Sequence, residues 1–140
     1  MFRIHFLVQW SKLKIIMELP DPKTQAMIVN LILNKRTEKS LELLSSFYNI
    51  QAPEVVVGTI KGKRKTVHAV YVRNQRRIYA TNSDIFYNPF VILHEFYHHL
   101  RFRGMEHRGS EKSADKFALH FINSYRSQYA MGSRPRQAER

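Results

Sequence analysis

Apolar positions recur at helical spacing in the first third of the chain, at strand spacing in the middle, and at helical spacing again towards the end. Phe2–Leu19 mixes the two periods, and a helix with Leu7, Trp10, Leu13 and Met17 inward is the preferred reading. Asp21-Pro22 is a cap followed by a first-turn proline, and Ala26, Met27, Val29, Leu31, Ile32 and Leu33 then make a helix to about Lys35, apolar over much of its circumference. Thr37 is the expected cap of a third helix whose Leu41, Leu44, Phe47 and Tyr48 share a face. After Ala52-Pro53 the β-branched run Glu54–Ile60 predicts a first strand. Thr66–Arg73 and Arg76–Thr81, joined by a turn at Asn74-Gln75, predict two more in an antiparallel meander.

Asn82-Ser83-Asp84 reads as a loop and Ile85–Tyr87 as an aromatic connection. Asn88-Pro89 then opens a helix expected to stop at Gly104, and Ser110 caps a last helix over Glu111–Tyr129 that buries Ala114, Phe117, Ala118, Phe121, Ile122 and Tyr125. The expected fold is therefore α+β, with N-terminal helices, a small and mainly antiparallel three-stranded sheet, and two final helices. Residues 1–131 form one domain in this reading, and 132–140 a frayed basic tail.

Composition narrows the chemistry. The 140 residues contain no cysteine, which removes disulfides, thiolate metal sites and cysteine nucleophiles and leaves His and carboxylate as the strong metal ligands. No run approaches the roughly 20 apolar residues of a membrane span, and the N-terminal apolar stretch lacks a cleavage site, so the expectation is an intracellular (cytoplasmic) protein without signal peptide or membrane anchor. The net charge of +12 would attract nucleic acid or acidic segments, but the basic residues are dispersed and follow no DNA-reading motif.

The helix after Pro89 carries His94-Glu95-Phe96-Tyr97-His98, an HExxH. Residues four apart share a helical face, so the two imidazoles stand one turn apart, as two ligands of one tetrahedral metal ion must. Glu95 lies beside that pair, where a carboxylate can reach a metal-bound water and act as general base. Chance alone produces HExxH in roughly one such sequence in fifty, so context matters. A catalytic zinc site has three protein ligands and an open position. Glu111 and Asp115, again four apart, present one face of the following helix. Glu111 can supply an oxygen ligand, and Asp115 can accept the free N–H of a bound imidazole. His107, in the connecting loop, could instead be the ligand, bond an oxyanion, or be solvated. Glu111 could equally be a first-turn acid facing the helix dipole, and Asp115 a solvated charge. Tyr97, Tyr87 and His99 can line a pocket or simply pack; His99 points about 100° away from His98.

The combination of HExxH with Glu111-Lys-Ser-Ala-Asp115-Lys-Phe-Ala118, an E-x-x-A-D-x-F-A, resembles the gluzincin zinc metallopeptidases, and the size is similar to their minimal single-domain members. The resemblance covers Ile78–Ala118 at best. It implies a zincin-like fold and one catalytic Zn²⁺ held by His94, His98 and Glu111. Glu95 would be the base, and Asp115 would bond the ring of His94. It also implies a substrate-pairing edge strand before the active-site helix, here Ile78, Tyr79, Ala80 and Thr81. The metzincin pattern fits badly, because Arg101 and Gly104 stand where its glycine and third histidine belong. The expected function is a zinc endopeptidase acting on a peptide or protein substrate. The alternative is a basic, nucleic-acid-associated or regulatory module whose metal site is structural or vestigial.

Overall fold

The computed structural model describes residues 18–58, 68–105 and 107–138. The expected N-terminal helix lies outside them except for Glu18 and Leu19, which are irregular. Helix α1 (Pro22–Leu33) starts as the sequence indicates, with Asp21 accepting from the Thr24 amide at 2.9 Å. It buries Ile28, Val29 and Ile32 but leaves Met27 and Leu33 more than two-fifths exposed, so its apolar surface is only partly covered. Its one buried amide is satisfied at both ends: Gln25 donates to the Pro20 carbonyl at 2.6 Å and accepts from the Ser124 hydroxyl at 2.8 Å. Helix α2 (Thr37–Phe47) has Arg36 and not Thr37 at its N-cap position, with no side-chain capping bond. The Thr37 hydroxyl, buried, donates instead to the Phe86 carbonyl at 2.9 Å, a tertiary bond no local pattern announces.

Strands β1 (Glu54–Val57), β2 (Ala69–Val72) and β3 (Arg77–Ala80) form one sheet in the order β1-β3-β2. β2 and β3 are antiparallel, with Ala69 opposite Ala80 and Val72 opposite Arg77, joined by a 3₁₀ turn at Arg73–Gln75 with left-handed Arg76. β1 runs parallel to β3, with Glu54 opposite Arg77 and Val57 opposite Ala80. The sheet is thus mixed and not an antiparallel meander: the chain passes from β1 to the far side of the sheet before β2, and β3 fills the centre. An antiparallel hairpin needs only a short turn, whereas parallel neighbours need a long connection, and here the chain between Val57 and Arg77, β2 included, separates the two parallel strands.

A short helix α3 (Ser83–Phe86), capped by Asn82, replaces the expected loop and connection. Helix α4 (Pro89–Met105) begins at the expected proline, with Asn88 accepting from Val91 at 3.2 Å, and continues through Gly104. Helix α5 runs Glu111–Ala138, with Ser110 accepting from Ser113 at 3.0 Å, so residues 132–138 are helical where a frayed tail was expected. Extending an existing helix fixes one residue per added bond, and Gly132 and Pro135 weaken this end without stopping it.

The fold is α+β. α5 packs against α1 on one side and α4 on the other, while α4 also lies on β2 and β3. Ile32, Leu44, Ile78, Leu93, Phe96 and Phe121 are fully enclosed where these layers meet. None of the described helices is long and apolar enough to cross a membrane. Phe121, from the middle of α5, packs at a tilt against Phe117 with 4.9 Å between ring centres. Phe121→Ala is expected to cost about 3–5 kcal/mol in urea denaturation.

Candidate metal centre

Helix α4 buries Ile92, Leu93, Phe96 and Leu100 completely. The residues four apart on the face towards the start of α5 are His94 and His98, whose ring centres lie 5.1 Å apart. Phe96 stacks on Phe117 of α5, and Tyr97 packs on the same ring, which sets the spacing of the two helices. That packing delivers the first residue of α5 to the histidines. Glu111 places Oε1 3.1 Å from His94 Nε2 and Oε2 2.7 Å from His98 Nε2. One ligand atom from each of His94, His98 and Glu111 lies within 4.8 Å of the others, so this group could hold a metal ion. Asp115, one turn further, accepts from His94 Nδ1 at 2.8 Å.

The protons decide what the cluster wants. A carboxylate and a carbonyl only accept, so His94 donates Nδ1–H to Asp115, and His98 donates Nδ1–H to the Arg108 carbonyl at 2.8 Å. With Nδ1 committed in this way, each ring in its neutral form turns an Nε2 lone pair towards the Glu111 carboxylate. His98 Nε2 is buried and makes no hydrogen bond, although Glu111 Oε2 is only 2.7 Å away. Two lone pairs at that distance repel unless a proton or a cation joins them. Burial, the largest influence, holds the His98 pKa below its ordinary value, which disfavours the proton. The residues present fit a cation, and the two Nδ1 bonds are the outer contacts that orient metal-binding imidazoles.

Glu95 is buried, with 7 % of its surface exposed. Its Oε1 accepts from the Tyr71 amide at 3.0 Å, and its Oε2 stands 3.8 Å from His94 Nε2. Burial pushes its pKa up to about 7, against the lowering influence of His94. For Glu111, burial pushes upward, but the neighbouring His94, His98 and Arg108 side chains outweigh it and hold the carboxyl below its ordinary range.

Sequence reasoning missed two positioning residues. Arg108 orients His98 through its carbonyl and holds Glu111 Oε2 through its guanidinium at 2.8 Å. Tyr71 of β2 fixes Glu95 through its amide, while its hydroxyl donates to His99 Nδ1 at 2.7 Å. His99 in turn donates Nε2–H to the Gln51 carbonyl at 2.8 Å, so it is a neutral, fully enclosed strut turned away from the other two histidines. No local pattern marks the Arg108 carbonyl or the Tyr71 amide, because every residue carries these groups and only the fold aims them. Of the other candidates, His107 lies against Arg101 at 3.0 Å and Tyr97 accepts from Arg101 at 3.1 Å; neither belongs to the three-residue group. Tyr87 pairs edge-on with Phe86 and lies under the Lys35 ammonium.

The expected edge strand is a correction. Ile78, Tyr79 and Ala80 lie in β3, which pairs on both sides, so their backbone is consumed within the sheet. Thr81, just beyond, donates its amide to the His68 carbonyl at 3.0 Å. The strand bordering the site is β2. Comparison with known protein families, curated proteins and solved structures returns no match.

Two predictions follow from these contacts. Gly109 has φ +76°, and a Cβ there would stand 2.8 Å from the Tyr97 ring. Gly109→Ala should therefore displace the Arg108–Glu111 corner, lowering stability by about 2 kcal/mol or more and weakening metal binding, as read by urea denaturation and metal titration. The second concerns acid. Burial, aided by the charges of Arg103 and Arg76, lowers the His99 pKa from 6.5 to about 4. Between those values the unfolded chain binds the extra proton, so stability falls as pH drops from 6.5 to about 4, by up to about 3 kcal/mol. His99→Gln, which keeps a donor and an acceptor, should flatten this part of the pH–stability curve relative to wild type.

Proposed function

We propose that the chain is a zinc-dependent endopeptidase of gluzincin type with a zincin-like fold. The observation that carries this reading is the buried, unpaired Nε2 of His98 facing Glu111, beside a His94 anchored by Asp115. Two imidazoles and one carboxylate are the donor set of a catalytic zinc site with one open position. A divalent ion bound there supplies a Lewis acid that polarises a peptide carbonyl and acidifies water. The chain's own groups do the rest. Glu95, held by the Tyr71 amide, takes the proton of the attacking water and returns it to the leaving amine; its enclosure, which raises its pKa, suits it to both roles near neutral pH. Asp115 and the Arg108 carbonyl keep both imidazoles in the tautomer that exposes Nε2.

β2 supports an extended peptide substrate. Its Tyr71 amide points off the edge away from β3, and the two-residue alternation of an antiparallel pair turns the Ala69 amide and carbonyl the same way. A substrate strand pairing there would run past Glu95. The alternative, a nucleic-acid-associated module with a structural metal, needs a fourth protein ligand to close the site. The candidate for that role, His107, is engaged with Arg101.

The expected result is one zinc ion per chain, with affinity lost by at least about 100-fold in Glu111→Ala. Glu95→Gln should retain the ion while cleavage of an unfolded protein falls by about 100-fold or more, followed by gel or peptide mass analysis. Zinc retention with no chelator-sensitive cleavage in wild type would instead favour the binding module.

A further inference from the structure

On the outer side of the corner between α4 and α5 lies an open cavity of about 590 Å³. Arg101 and Tyr97 line it from α4, His107 and Arg108 from the loop, and Ser110 and Ser113 from the start of α5. Among the described residues the wall carries two guanidinium groups, an imidazole and three hydroxyls, and no carboxylate. Arg101 is half-buried and has no ion-pair partner among the described residues. One of its terminal nitrogens donates to Tyr97, the other lies 3.0 Å from a His107 nitrogen, and its buried Nε has no hydrogen-bond partner among the described residues. Arg108 uses one terminal nitrogen on Glu111, which leaves most of its five N–H donors unused. Spare N–H donors, a guanidinium on Arg101 without counter-charge among the described residues, and an open mouth are the conditions under which a guanidinium fork takes a planar or tetrahedral oxyanion.

We propose that this cavity is an oxyanion-binding site in which Arg101 and Arg108 together hold a phosphate or carboxylate group. The ligand chemistry is shared by two sources, free phosphate and the terminal carboxylate of a peptide. Arg108 links the site to the candidate metal centre, because the guanidinium that would hold the anion also grips Glu111 Oε2. The site does not depend on that centre, since all its donors belong to side chains outside the His94, His98 and Glu111 group.

The test is calorimetric titration of the full chain with inorganic phosphate in the presence of EDTA, at a fixed ionic strength of about 150 mM. Saturable binding is expected at one site per chain, weakened tenfold or more by Arg101→Gln and by Arg108→Gln. Arg126→Gln should leave it unchanged; it removes the same charge about four turns along α5. Arg108, whose side chain is 56 % exposed, keeps the test decisive should Arg101→Gln fail to fold by circular dichroism. A short neutral peptide is then compared with its C-terminal amide. Binding of the free acid and not the amide identifies a peptide end as the source; binding of phosphate alone identifies free phosphate. Phosphate binding seen only in a parallel titration without EDTA would place the anion on a metal and overturn the assignment. So would no saturable binding of either probe, or equal weakening by Arg126→Gln, which would reduce the effect to the general positive charge of the surface.

Discussion

The centre depends on how closely α4 and α5 approach at their shared corner. Phe96 on Phe117 sets the distance along the core, and Gly109 against Tyr97 sets it at the loop. A side chain at Gly109 would have to push the two apart, because packed interiors have little slack. Only at that separation can one carboxylate, Glu111, reach two imidazoles on the neighbouring helix. Arg108, Asp115 and the first turn of α5 are then carried into place together. The corner thus turns apolar packing into a polar arrangement.

The same economy governs the other side of α4. Tyr71 ties the helix to the sheet at two successive residue types, a carboxylate through its amide and an imidazole through its hydroxyl. Glu95 and His99 are both enclosed, and an enclosed polar group without a partner is expensive. Each therefore constrains β2 as much as β2 constrains it. A strand held this way keeps a fixed height above the helix, which is what a surface for an extended peptide requires. Glu95 cannot move independently of the strand beside it.

The donors around the centre also separate into two groups by charge. Inside, lone pairs converge with a cation's place between them; outside, N–H groups converge on the cavity with an anion's place between them. Arg108 belongs to both, with its carbonyl and guanidinium turned in different directions. A change in what the cavity holds would be felt at Glu111 through a single hydrogen bond.

The helix starts at Pro22, Pro89 and Glu111 follow from cap chemistry, which is local: a side chain bonding an amide three residues on needs nothing from the rest of the fold. So does the pairing of His94 with His98 and of Glu111 with Asp115, since helical periodicity places residues four apart on one face. That these two faces meet, and at a distance one carboxylate can span, was decided by the tertiary packing. So was the sheet. Short β-branched runs reveal strands but not their neighbours, and β3 became the central strand because β1 pairs with it across a long connection. The edge facing Glu95 is accordingly β2. The Arg108 carbonyl and the Tyr71 amide were invisible beforehand for the same reason: every residue carries these backbone groups, and only the folded arrangement aims them.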